Sequence, residues 1–163
     1  MRVSLSIYFV LFLAVAGSAL DAPKGPAVVT FKGLITQKNK ADTAVLDAAM
    51  LDRLKTYTVK TVTPWYTGAQ KFEGPSLQDV LKLVGATGKT LKIVALNDYA
   101  IEVPLEDAAL YSPILARRIN GVALTPRDKG PLFLVYPYDS KPELSTEKFY
   151  ARSAWQIAVI EVL

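Results

Sequence analysis

Aromatic and guanidinium side chains gather where the sequence pattern puts the ends of strands, and they are the chain's main chemical resource. Trp65-Tyr66 follows Pro64, Tyr99 follows Asn97-Asp98, Arg117-Arg118 precedes Asn120-Gly121, and Arg152-Ser153-Ala154-Trp155 leads into a last apolar run. Rings to stack on, combined with fixed hydrogen-bonding groups, suit a flat heteroaromatic ligand. The candidate ligand-binding set is therefore Trp65, Tyr66, Asn97, Asp98, Tyr99, Arg117, Arg118, Arg152, Ser153 and Trp155. Other chemistries lack their reagents, save a Ser–Lys pair, which no spacing selects. The 163 residues contain no Cys and no His, so zinc, haem and thiolate catalysis have no ligands or nucleophile, and a serine triad has no imidazole base. No catalytic residue and no metal ligand is assigned.

Each candidate also has a plainer role. Trp155 reads as a core residue on its strand, and Trp65 as a plug for one end of a barrel. Alternation lets only one of Arg117 and Arg118 face a site. Asp98 suits a turn in which it bonds its own backbone, and Tyr136 and Tyr138, bracketing Pro137, read as surface rings around a turn.

The elements that must position these groups are mostly strands. Val28–Ile35 and Tyr57–Val62 are β-branched or alternating, the second stopped by Pro64. Asp47–Leu54 sets Met50, Leu51 and Leu54 at helical spacing. Ser76 with Asp79 three residues on resembles a capping box, predicting a helix from Ser76 to Val84 that Gly85 ends. Asn97-Asp98 between Leu91–Leu96 and Tyr99–Val103, and Asn120-Gly121 between Ile114–Ile119 and Val122–Leu124, predict two hairpins with primed turns. Leu132–Val135 and Trp155–Leu163 supply further strands. The fold class is α+β, mainly β.

Met1-Arg2, the apolar run Val3–Ala16 and the small residues Gly17-Ser18-Ala19 have the layout of a secretory signal peptide cleaved near Ala19. Residues 1–19 are thus expected to be a leader and 20–163 a single exported domain, periplasmic in location. With no disulfide available, its stability must come from a core, for which this length suffices. Net charge is +4 with the charges interspersed, so there is no footprint for nucleic acid.

Four segments in order add a family likeness. Phe72-Glu73-Gly74-Pro75-Ser76-Leu77-Gln78-Asp79-Val80-Leu81 follows an aromatic-x-Gly-x-x-Leu-x-Asp-Leu-Leu pattern. Asn97-Asp98-Tyr99 precedes Val103-Pro104-Leu105. Leu115-Ala116, Asn120-Gly121 and Gly130-Pro131-Leu132-Phe133-Leu134-Val135-Tyr136-Pro137 come next, and Ser153-Ala154-Trp155-Gln156-Ile157 closes the set. Over roughly residues 57 to 163 the chain resembles the sulfite-oxidase-like molybdopterin-binding domain. In that family a Cys after the strand corresponding to Tyr57–Val62 ligates molybdenum. Here the loop reads Thr61-Val62-Thr63-Pro64-Trp65, and hydroxyls with an indole do not replace a soft thiolate. Small exported members without the Cys are similar to periplasmic pterin-binding regulators. The resemblance therefore implies a pterin ligand without molybdenum and a non-enzymatic role. It also implies a partner: the periplasmic domain of a membrane-bound cyclic-di-GMP cyclase or phosphodiesterase, in biofilm-type signalling. The alternative it carries is a molybdopterin-dependent oxidoreductase or a subunit of one.

Overall fold

The structure, a computed structural model, describes residues 19–163; the expected leader lies, apart from Ala19, outside the described residues. The architecture is α+β with more strand than helix. A five-stranded sheet runs β2-β1-β11-β5-β6, from β1 (Ala27–Gly33), β2 (Ala44–Asp47), β5 (Thr90–Ala95), β6 (Ala100–Pro104) and β11 (Ile157–Val162). β1 lies parallel to β11 with Phe31 opposite Ile160, so distant parts of the chain close the sheet together. Its inward side chains alternate as a half-buried sheet requires: Val29 and Phe31, Leu91 and Ile93, Ile160 and Val162 are all buried. Each such side chain contributes roughly 1.5–3 kcal/mol by leaving water.

A second sheet, ordered β3-β4-β8-β9, comprises β3 (Thr56–Val62), β4 (Ala69–Pro75), β8 (Arg118–Ile119) and β9 (Val122–Ala123). Against it sits the pair β7 (Ile114–Ala116) and β10 (Phe133–Val135), each residue of which is buried. Strand β4 has no clear sequence signal, since Lys71, Glu73, Gly74 and Pro75 all argue against a strand. Its place explains the glycine: a Cβ on Gly74 would collide with the Leu115 carbonyl oxygen, so only glycine lets β4 and β7 approach.

The short helices follow their caps. Asp47 precedes α1 (Ala48–Asp52) and accepts from the Met50 N–H at 2.9 Å. That bond, with those from Gly25 and Lys24, holds its carboxyl below the usual range. Ser76 accepts from the Asp79 N–H at 3.0 Å to open α2 (Leu77–Leu83), and Gly85 follows at φ +62°. Two further helices are α3 (Asp107–Leu110) and α4 (Glu147–Ala151).

Both expected hairpins form, but only Asn120-Gly121, at φ +51° and +81°, has the positive φ at both residues of a primed turn; at Asn97-Asp98 only Asp98, at +66°, is left-handed. Two further expectations need correction. Ile114–Ile119 is not one strand, because Arg117 interrupts it: β7 pairs with β10, whereas β8 pairs with β4. The last strand begins at Ile157, so Trp155 precedes it, separated by Gln156 at φ +52°.

Candidate functional site

The loop after β3, the β5–β6 turn, α4 and residues 153–155 meet around a cleft of about 540 Å³. Its aromatic wall is Trp65, Tyr99, Tyr150 and Trp155, with Pro64 alongside. Trp65 is placed by the turn that Pro64 imposes, where the Thr63 hydroxyl accepts its N–H at 3.3 Å. Its indole meets Phe133, Tyr138, Tyr150 and Trp155 edge-on, at centroid distances of 5.4, 6.2, 5.8 and 5.7 Å. This is the favourable quadrupole arrangement. Trp155 is held differently: its neighbours' carbonyls accept from the framework, Ala154 O from Leu134 N–H and Gln156 O from Leu96 N–H, both at 2.8 Å. The backbone is thus pinned on both sides while the residue stays 36% exposed. The Lys129 ammonium lies 4.2 Å from its ring centroid, a cation–π contact.

Polar groups in the cleft fall into two kinds. Ser153 is spent: it is 3% exposed, and its Oγ donates to the Phe149 carbonyl at 2.7 Å. Having used its one proton, it can only accept the Tyr138 hydroxyl, 2.5 Å away. Burial pushes the Tyr138 phenol up to about 12. Asn97 is half committed, its Oδ1 accepting from the Tyr99 N–H at 3.2 Å, with no partner at Nδ2 among the described residues. Glu147, the first residue of α4, has neither a hydrogen bond nor an ion pair at its carboxylate among the described residues.

Of the candidates read from the sequence, the cleft brings together Trp65, Asn97, Tyr99, Ser153 and Trp155, and leaves the others elsewhere. Arg152 turns inward and binds the buried Asp107 through contacts of 2.8 and 3.0 Å, its guanidinium 5.2 Å from the Phe149 ring centroid. Tyr136 donates to the same carboxylate at 2.8 Å, and burial together with Asp107 pushes its phenol far above the ordinary range. Arg117 bonds Asp52 and the Ala48 carbonyl on α1. Arg118 is exposed on β8, and Asp98 is exposed in its turn. Tyr66 packs on Phe72 at 6.2 Å and lines an adjoining cleft of about 390 Å³ with Arg127 and Lys129.

The plainer readings also shift. Tyr136 and Tyr138 are wholly buried rather than surface rings, and Trp155 is not a core residue on a strand. Glu147 and Tyr150 were not foreseen, because a five-residue helix shows too little periodicity.

The molybdenum of the oxidoreductase alternative does not suit this donor set. Where the thiolate would stand, the Thr61 hydroxyl accepts from Asp139 N–H and the Thr63 hydroxyl from Trp65 N–H. Among the described residues no three His, Cys, Asp or Glu side chains gather at one point.

The family model for the oxidoreductase molybdopterin binding domain matches residues 15–139. No curated protein sequence matches the chain significantly. The match begins ahead of the segments that carry the likeness, and stops before α4 and Trp155. At more than half its length, the chain belongs to that family.

Proposed function

We propose that this family member binds a pterin as a free ligand, using the aromatic cleft and no metal, and acts as a sensor rather than an oxidoreductase. The observation that carries this reading is the meeting of Trp65 and Trp155 at 5.7 Å beside Asn97 and Glu147, two polar side chains with unused hydrogen-bonding capacity. Aromatic walls supply most of the contact area and a few polar groups fix orientation. Stacking with two or three hydrogen bonds is compatible with micromolar affinity or better. In a chain without Cys or His, a pterin is the part of molybdopterin for which fitting groups remain.

Titration of purified protein with reduced and oxidised pterins, followed by intrinsic fluorescence and calorimetry, tests the reading; saturable one-to-one binding is expected. Absence of binding to any pterin overturns it. Stoichiometric molybdenum in protein purified from a molybdenum-replete host favours the oxidoreductase alternative instead.

The proposal extends to export and signalling, supported by the leader-like Met1–Ala19 and the likeness to Cys-less periplasmic regulators. The mature chain then starts near Leu20, and its partner is the periplasmic domain of a membrane-bound cyclic-di-GMP enzyme. N-terminal sequencing of exported protein checks the first. Association with that periplasmic domain, measured with and without pterin, checks the second.

A further inference from the structure

We infer that Glu147 makes the cleft selective for heteroaromatic rings whose edge carries two adjacent N–H donors beside an oxo group, the 2-amino-4-oxo edge of a pterin, over the 2,4-dioxo edge of its lumazine analogue. The inference rests on the pterin reading and adds a discriminating residue to it. Three observations carry it. First, Glu147 lines the same cleft as Trp65, Tyr99, Tyr150 and Trp155, and no described donor satisfies its carboxylate. Second, the remaining polar groups are sorted by what they still offer. Ser153 is consumed by Phe149 and Tyr138, whereas Asn97, its Oδ1 held by Tyr99 N–H, has its NH2 end left. Third, none of the three candidate arginines lines the cleft: Arg152 and Arg117 are engaged with Asp107 and Asp52, and Arg118 is exposed on β8.

Apart from the Tyr99 and Tyr150 hydroxyls, which donate or accept and so favour neither edge, the cleft thus presents an acceptor-only carboxylate and an amide donor. A carboxylate offers lone pairs and no proton. A ring edge reading donor, donor, acceptor complements that pair, with the exocyclic amine and ring N–H toward Glu147 and the oxo group toward Asn97. An edge reading acceptor, donor, acceptor sets an oxo oxygen against the carboxylate, leaving both lone pairs unmatched and mutually repulsive. Sites that hydrogen-bond a ligand group reject the analogue lacking it more strongly than an apolar pocket rejects a change of size.

The test is calorimetric titration of the full chain with pterin and with lumazine, in the wild type and in Glu147→Gln and Glu147→Ala. Glu147 is exposed, so both variants should keep the parent's melting temperature. The wild type is expected to prefer pterin by about tenfold or more. Glu147→Gln, which offers both a donor and an acceptor, should bring the two ligands within about threefold, and Glu147→Ala should lower pterin affinity about tenfold. Equal wild-type affinity for both, or a preference that survives in Glu147→Gln, overturns the inference while leaving the pterin reading intact. A wild type that binds neither overturns both.

Discussion

Arg152 and Trp155 stand three residues apart and belong to different worlds. Arg152, Asp107 and Tyr136 form one hydrogen-bonded network, Tyr138, Ser153 and the Phe149 carbonyl form a second, and among the described residues no buried side-chain polar atom lacks a partner. Trp65, Trp155, Asn97 and Glu147 line a surface where ring faces and polar heads are left over. Both regions use aromatic and charged groups of the same types. Residue type therefore does not distinguish scaffold from site here; saturation of hydrogen bonding does.

The sharpest way to break this contrast is at Asp107. Asp107→Ala strips the Arg152 guanidinium and the Tyr136 hydroxyl of their shared acceptor, and should cost about 3–5 kcal/mol in urea unfolding. A loss below about 1 kcal/mol would show that water replaces the carboxylate and that the network is not a closed scaffold.

The two tryptophans should then part company. Trp65 touches four rings, two of them buried, so Trp65→Ala is expected to cost about 3 kcal/mol of stability as well as affinity. Trp155→Ala should leave the melting temperature nearly unchanged while weakening pterin binding by about 1–3 kcal/mol, the scale of stacking on an aromatic ring. Equal stability losses would put both in the scaffold.

Alkaline titration sharpens the comparison further. The folded Tyr138 pKa, pushed up to about 12, exceeds that of the unfolded chain, near 10. The unfolded state therefore loses its proton first. The stability is whole below pH 10 and falls as pH rises through 12, by roughly 2–3 kcal/mol for this group. Tyr136 acts in the same direction. Tyr138→Phe should flatten the fall between pH 10 and 12; an unchanged slope would deny that the buried phenols set it.

The smallest effect belongs to Arg117. Its ion pair with Asp52, whose side chain is 53% exposed, should be worth under about 1 kcal/mol, and Arg117→Ala should leave pterin affinity untouched. A tenfold loss of affinity would return it to the site.

What the sequence made legible follows the same divide. Local chemistry fixed the caps at Asp47 and Ser76 and the turns at Asp98 and Asn120-Gly121, because backbone geometry selects those residues directly. Strand β4 was hidden because tertiary pairing on both sides overrides the poor propensity of Gly74-Pro75. Trp65 and Trp155 were recognisable as site candidates, yet Trp155, which read as a core residue, stands the more exposed, while Trp65 carries the ring contacts to the core. Arg152 was expected at the ligand because nothing near it in sequence announces Asp107, forty-five residues earlier. Glu147 went unnoticed for the converse reason, since an acid at the start of a short helix looks like any other surface charge.

Trp65 and Trp155 are also the chain's two tryptophans, and they stand 5.7 Å apart at an interplanar angle of 74°. Light absorbed selectively by indole is therefore absorbed at the cleft and nowhere else. The pair is close enough for its transitions to couple, so near-ultraviolet circular dichroism carries the signature of the two rings' relative orientation. A molecule seated against either ring changes that signature and the emission together, which makes the unlabelled protein its own optical reporter.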